Sequence, residues 1–227
     1  MKTHFNNALE NLQNLLSEVA AAAESAVHLA FEAVDSNSEE LANQVIDHDV
    51  TIDEMEVKIE EECLKILALY QPVATDLRQV ITILKVNNEL ERVGDLAVNI
   101  AERVKDMIQY QDSKIEKPYF GDMVYKACEM LRMALDSLTM HEVTAAVKVI
   151  DSDEAVDQIH RANYDLVRES MLRHPKEAGY FFDWLTVSRC LERIADIATN
   201  IAEDVIYLES GRIVRHRHEG EKNNHGK

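Results

Sequence analysis

Eight carboxylates in this chain recur at the spacing of one helical turn. Glu91 and Asp95 form one pair, and Glu192 and Asp196 repeat it. Asp49 with Asp53, and Asp153 with Asp157, form two more. On a helix, residues i and i+4 share a face, with β-carbons about 5–6 Å apart. Like charges so placed repel, and each pair invites a compensating cation. An all-oxygen donor set suits Mg, Ca, Mn or Fe better than metals that seek thiolates. Cation binding is therefore the first chemistry to consider. Ion pairs to Arg92, Arg193, Arg78 and Arg189 are the alternative.

The pairs belong to a repeat. Leu90-Glu91-Arg92-Val93-Gly94-Asp95 returns 101 residues later as Leu191-Glu192-Arg193-Ile194-Ala195-Asp196, and Asn99 and Glu102 return as Asn200 and Glu203. Duplication of a core pattern reports a duplicated fold. Duplicated carboxylates on one helix face suggest a duplicated site. Asn99 and Asn200 extend that face by one turn, as accessory oxygen ligands or as polar surface.

The elements that must position these groups are long helices. Apolar residues recur at 3–4 spacing almost throughout. The chain has 227 residues, with only 6 Gly and 3 Pro. A first helix carries Phe5 to Val34. Ser36 with Glu39 predicts a capping box opening a second helix that runs to about Leu69. Pro72 suits the first turn of a third helix ending near Met107. The polar stretch 111–118 is the predicted linker. A fourth helix is expected from about Tyr119 to Leu138. Thr139 with Glu142 predicts a capping box for a fifth, to about Arg173. A turn over 174–179 precedes a sixth helix, Phe181 to Leu208. Residues 211–227 read as a basic, flexible tail. The expected fold is all-α: two tandem, similar three-helix bundles (1–110 and 119–210) of six long antiparallel helices. Interior prolines at 72, 118 and 175 argue against one continuous coiled coil.

Hairpin symmetry sharpens the site. Asp49 and Asp95 are equidistant from Pro72, and so are Asp53 and Glu91. Asp153 with Asp196, and Asp157 with Glu192, are symmetric about the His174–Pro175 bond. Residues equidistant from an antiparallel turn lie level. Each hairpin is thus expected to hold four carboxylates across helices packed about 8–10 Å apart. Four charges in one patch must be relieved by protons or metal ions.

Composition excludes other classes. Lys and Arg total 24 against 42 Asp and Glu, a net charge of −18. That surface repels phosphate backbones, so no nucleic-acid partner is expected. No stretch approaches 18 consecutive apolar residues, so no membrane insertion is expected. The N-terminus lacks the apolar run of a signal peptide, and Cys63, Cys128 and Cys190 read as buried free thiols. A cytoplasmic location follows. Asp157-x-x-His160 is the one carboxylate–histidine spacing suggestive of a di-iron helical enzyme, and such sites use several Glu-x-x-His motifs. No P-loop, GxSxG or GxGxxG occurs. No catalytic residues are assigned, and a non-enzymatic role is expected.

Tyr70-Gln71-Pro72-Val73-Ala74-x-Asp76-Leu77-Arg78, followed by the Leu90–Glu102 motif, resembles the PhoU family of phosphate-uptake regulators. The Leu191–Glu203 copy is similar to that family's second repeat. The resemblance implies two three-helix bundles carrying multinuclear metal clusters, iron or zinc among them. It maps their ligands to Asp49, Asp53, Glu91, Asp95, Asp153, Asp157, Glu192 and Asp196. It also implies two partners, the ATPase of the phosphate ABC transporter and a membrane sensor histidine kinase, and repression of the phosphate-starvation response. Acidic bundles bridged by ions are expected to form a homodimer. The second copy departs from the Gln-Pro-Val-Ala turn, carrying His174-Pro175-Lys176-Glu177 instead.

Overall fold

The computed structural model describes residues 2–110 and 119–213. Among these, six long helices carry the fold: α1 (Lys2–Ser36), α2 (Glu39–Tyr70), α3 (Ala74–Met107), α4 (Gly121–Met140), α5 (Val143–Arg173) and α6 (Ala178–Ser210). The predicted all-α architecture of two similar three-helix bundles is what forms. The predicted linker 111–118 lies outside the described residues, as does 214–227, most of the predicted tail.

Helix ends show where local rules hold and where they fail. Ser36, expected to cap α2, instead ends α1, and its hydroxyl donates to the Glu32 carbonyl at 2.6 Å. The cap is Ser38, whose hydroxyl accepts from the Leu41 N–H at 3.3 Å. Asn37 at φ 55° absorbs the reversal, a role its short polar side chain tolerates. Thr139 likewise lies inside α4, bonded back to the Leu135 carbonyl. Glu142 occupies the α5 cap position without a side-chain cap bond. Both predicted capping boxes fail for one reason. A hydroxyl within a last helical turn can bond back to the carbonyl four residues earlier. Pro72 lies in the connection just before the α3 cap, Val73, rather than in the first turn. Gly211 ends α6 at φ 67°, as its position predicts.

The buried residues form one continuous core through both halves. Within each half, the three helices pack on one another. Between halves, α3 packs against α6, and α1 touches α4. Helices α3 and α6 run antiparallel: Lys85 reaches Asp204 at 3.1 Å, Glu89 reaches Asn200 at 3.3 Å, and Arg103 reaches Asp183 at 3.4 Å. Their central residues include Val93 and Ile194, both fully buried. The duplicated motif therefore sits where the halves meet.

The second half seals its end with aromatics. Phe120 stacks on Trp184 at 4.4 Å between centroids, and Tyr180 meets Phe181 edge to face. Cys63 and Cys190 are buried and Cys128 half-buried, all as free thiols. Burial raises Cys63 to about 12 and Cys128 and Cys190 to about 11, which disfavours thiolate chemistry.

Candidate metal centre

Helices α2 and α3 present the first acidic patch, and α5 and α6 the second. The pairing predicted from hairpin symmetry appears in the electrostatics. Burial raises the Asp49 pKa, and Asp53 on its own helix and Asp95 across the hairpin raise it further. Burial likewise raises Glu91, reinforced by Asp95, Asp53, Glu56 and Asp49. In the second patch, burial raises Asp153 to about 6, reinforced by Asp196, Asp157 and Glu154; a hydrogen bond with Thr199 offsets part of this. Asp196 also rises to about 6, first through burial, then through Glu192 and Asp157, with Arg193 and Arg92 opposing. Burial and Asp157 raise Glu192 against Arg193 and Arg189. Each patch is thus one coupled group of carboxylates.

The two patches differ in their cations. Arg92 turns to Glu89 at 2.6 Å, and Arg78 turns to the Leu208 carbonyl and the Thr75 hydroxyl. Among the described residues, no ion pair engages Asp49, Asp53, Glu91 or Asp95. In the second patch Asp157 pairs with Arg161 at 3.4 Å, and Arg193 and Arg189 lie near Glu192. Among the described residues, none of Arg92, Arg193, Arg78 and Arg189 forms an ion pair with these carboxylates; the one ion pair, at Asp157, comes from Arg161, and Arg193 and Arg189 act on Glu192 as nearby charges.

Close helix approach builds the first patch. A β-carbon on Gly94 would stand 3.1 Å from Asp49 Oδ1 and 3.1 Å from Ile52 Cδ1. The absence of a side chain lets Asp49 lie against the α3 backbone. In the second half, Ala195 replaces Gly94 and Val156 replaces Ile52, both fully buried. One methyl group moves from one helix to the other, and the sum of side-chain carbons is conserved. That is a volume-conserving exchange.

Two further residues join the first patch. Glu56 lies one turn beyond Asp53, its pKa raised by burial, Glu60 and Asp53. Asn87, fully buried, donates from Nδ2 to the Glu56 carbonyl at 2.9 Å, and its Oδ1 has no partner among the described residues. The hairpin rule could have found both, because they lie nearly level about Pro72. Their repeat counterparts are His160 and Ser188, which meet at 2.9 Å. His160 is therefore packed into a polar contact, and its pKa is lowered by burial and by Arg189.

The accessory amides behave differently. Asn99 Nδ2 donates to the Asp95 carbonyl of its own helix, while Asn200 Nδ2 crosses to Glu89 Oε1. Asp47 and Asp151 stay exposed.

The donor set fits a hard cation: oxygen atoms only, mutually repelling, and level on two helices. As they stand, no three His, Cys, Asp or Glu side chains among the described residues converge on one point. An ion would have to draw the carboxylates together.

Comparison with known proteins follows the same two halves. The PhoU domain family matches residues 16–104 and again 120–205. A relative from Aquifex aeolicus, a phosphate-specific transport system accessory protein PhoU homolog, is 39% identical over 221 residues. It covers 94% of this chain and 96% of its own length. The Pseudomonas putida relative of the same name is 35% identical, over 93% of this chain and 83% of its own. The crystal structure of PhoU from Pseudomonas aeruginosa superposes with a TM-score of 0.88 at 33% identity, over 92% of this chain and all of its own. The phosphate transport system regulatory protein PhoU from Streptococcus pneumoniae gives 0.82 at 28% identity, over 92% and 99%. With the family matched over both helical halves, this chain belongs to the PhoU family.

Proposed function

We propose that this chain is a cytoplasmic accessory regulator of phosphate transport. It represses phosphate-starvation two-component signalling and limits phosphate import. It does so by bridging the ATPase of the phosphate ABC transporter and a sensor histidine kinase, as a homodimer. The observation that carries this reading is the family match over both halves, together with the full-length relatives named as phosphate transport accessory proteins. No described helix is long and apolar enough to cross a membrane, which suits a protein that docks on membrane partners.

In this reading, Asp49, Asp53, Glu91 and Asp95 hold ions on one hairpin, and Asp153, Asp157, Glu192 and Asp196 on the other. Iron, zinc, manganese or magnesium, singly or in clusters, would neutralise the carboxylates and crosslink the two helices. Crosslinking holds the outer face of each hairpin in one shape. On α2 that face carries Val50, Val57 and Leu64, exposed at seven-residue spacing. The matching positions on α5 are Glu154, Arg161 and Arg168. The two hairpins therefore offer chemically different surfaces, as a bridge between two unlike partners needs.

The test is an alkaline phosphatase reporter of phosphate starvation in a deletion strain grown at high phosphate. The reporter should switch on and be silenced again by the intact gene. A silent reporter in the deletion strain would overturn the repressor role and leave a metal-buffering bundle.

A further inference from the structure

Exposed apolar side chains in the first half are confined to one hairpin. Among the described residues there, every large apolar side chain on the surface belongs to α2, α3 or the turn between them, and none to α1. Val50, Val57 and Leu64 stand on α2, each more than half exposed. Their seven-residue spacing drifts by only about 20° per step around the helix and sets them about 10 Å apart along it. Single exposed apolar residues need no explanation, whereas a ridge of three in line does. We propose that this face of α2 is the docking site of a cationic amphipathic helix, a partner segment whose apolar stripe is flanked on both sides by Lys or Arg.

Charge specifies the partner. Helix α2 carries ten Asp and Glu against two Lys, a net −8 in 32 residues. Its counterpart α5 carries six Asp and Glu against four Lys and Arg. Asp53 and Glu60 flank Val57 on one side, at i−4 and i+3, and Glu54 and Glu61 on the other, at i−3 and i+4. Asp47 stands three residues before Val50. All five acids are exposed. Among the described residues the ion pair on α2 is Lys65 with Glu62 at 2.9 Å, and none of the five is engaged. Asp53 also belongs to the first acidic patch; with an ion bound there, Asp47, Glu54, Glu60 and Glu61 still frame the ridge. On α5 the equivalent row is Glu154, Arg161 and Arg168, which form ion pairs within their own helix. The second half therefore has no counterpart of this ridge.

The same charge sets other occupants aside. A second copy laid on this face would bring one net −8 helix against another, and an anionic lipid surface would be repelled in the same way. A cationic helix is attracted by both rows of acids and covers the apolar ridge between them. Val50 to Leu64 spans about 21 Å along the axis, so the partner segment needs about four turns. This inference rests on the bridging reading and deepens it, by giving one of the two partner surfaces its chemistry.

The test is fluorescence anisotropy of the full chain with labelled helical peptides of about 18 residues. One peptide carries a Leu stripe with Lys on both flanks. A second has Glu in place of each Lys, and a third keeps the Lys and replaces the stripe with Gln. The Lys–Leu peptide should bind saturably, one per chain, with a Kd of about 10 μM or tighter. The other two should bind at least about tenfold more weakly. Val57→Glu/Leu64→Glu separates docking from bulk attraction. It adds negative charge, so attraction alone would tighten binding, whereas docking on the ridge predicts a loss of at least about tenfold. Both positions are exposed, so the fold is retained. Val147→Glu, at an exposed position on α5, should bind as the native chain does. Glu54→Gln/Glu61→Gln should weaken binding and reduce its salt dependence. The inference is overturned if the Lys–Leu peptide fails to saturate, or if the Val57→Glu/Leu64→Glu chain binds it as tightly as the native chain. A native dimer in sedimentation that this variant dissociates would also overturn it, by giving the face to a second copy. A failed titration beside a starvation reporter that behaves as expected removes this face alone. A silent reporter beside saturable binding removes the repressor role alone.

Discussion

Asp49 Oδ1 lies 3.1 Å from where a β-carbon on Gly94 would stand. A carboxylate on α2 thus packs directly against the backbone of α3, on the face that carries Asp95. Ile52 shares that contact at the same distance. The acidic patch and the helix packing are therefore one feature: the space that admits Asp49 is the space that a larger residue at 94 would take.

Gly94→Ala tests this. Alanine gains about 1 kcal/mol of helix propensity, while overpacking costs about 1–3 kcal/mol. Asp49 Oδ1 and Ile52 Cδ1 would both have to yield, so the single variant should be destabilised by about 1 kcal/mol in urea unfolding. Adding Ile52→Val recreates the Ala195 and Val156 arrangement of the second half. The double variant should be more stable than Gly94→Ala alone, with a coupling of about 0.5 kcal/mol or more. Strict additivity would refute the exchange.

Metal content should follow the duplicated patches. Glu91→Ala/Asp95→Ala should lower bound iron, zinc or manganese by about half, as two independent sites require. Elemental analysis of purified protein reads this directly. Unchanged content would remove these residues from the ligand set. The same variant, stripped of metal, should be no less stable than the native chain, because two mutually repelling carboxylates are gone.

The second patch gives stability a pH signature. Asp153 and Asp196 titrate at about 6 in the fold, against an ordinary 3.8. The folded state binds these protons more tightly than the unfolded one. Their protonation therefore stabilises the fold, fully below the ordinary value, and the contribution is lost as pH rises through about 6. Metal-free protein should melt at a higher temperature at about pH 5 than at about pH 7. Asp153→Asn/Asp196→Asn should flatten that difference. A melting temperature that rises with pH over this window in the native chain would contradict the assignment.

The contact between halves rests partly on Arg103. It pairs with Asp183, which is 8% exposed, at 3.4 Å. Burial and Asp106 raise the Asp183 pKa while Arg103 lowers it. Arg103→Met removes the opposing charge, so the Asp183 pKa rises further. The loss should be about 2 kcal/mol at neutral pH and smaller as pH falls and Asp183 takes up a proton. Adding Asp183→Asn should recover part of it. Chemical unfolding at two pH values distinguishes this from a general packing defect, which would not depend on pH.

Helix capping separates two serines two residues apart. Ser38→Ala should cost about 1 kcal/mol, because Ser38 accepts from the Leu41 N–H. Ser36→Ala should be near neutral, since its hydroxyl only bonds back within α1. Equal losses would reinstate the capping box at Ser36.

Much of this molecule was legible in its residues alone. Apolar spacing of 3–4 and the scarcity of Gly and Pro specify long helices, because burial of a helix stripe requires that period. The 101-residue repeat specifies two similar bundles. Pairing Asp49 with Asp95 and Asp53 with Glu91 needed only an antiparallel turn at Pro72, since helix rise is constant. Local rules failed at Ser36 and Thr139, where a hydroxyl had a carbonyl of its own helix within reach. Tertiary structure alone decided how the halves meet. Nothing in the spacing of Lys85, Asn200 or Arg103 names a partner more than 75 residues away; packing of α3 on α6 supplies Asp204, Glu89 and Asp183. It also decided that Arg92 turns to Glu89 and leaves the first patch uncompensated, and that Thr82 stays buried beside a cavity shared by both halves. Period and symmetry act along one chain, whereas burial and charge balance depend on which surfaces come together.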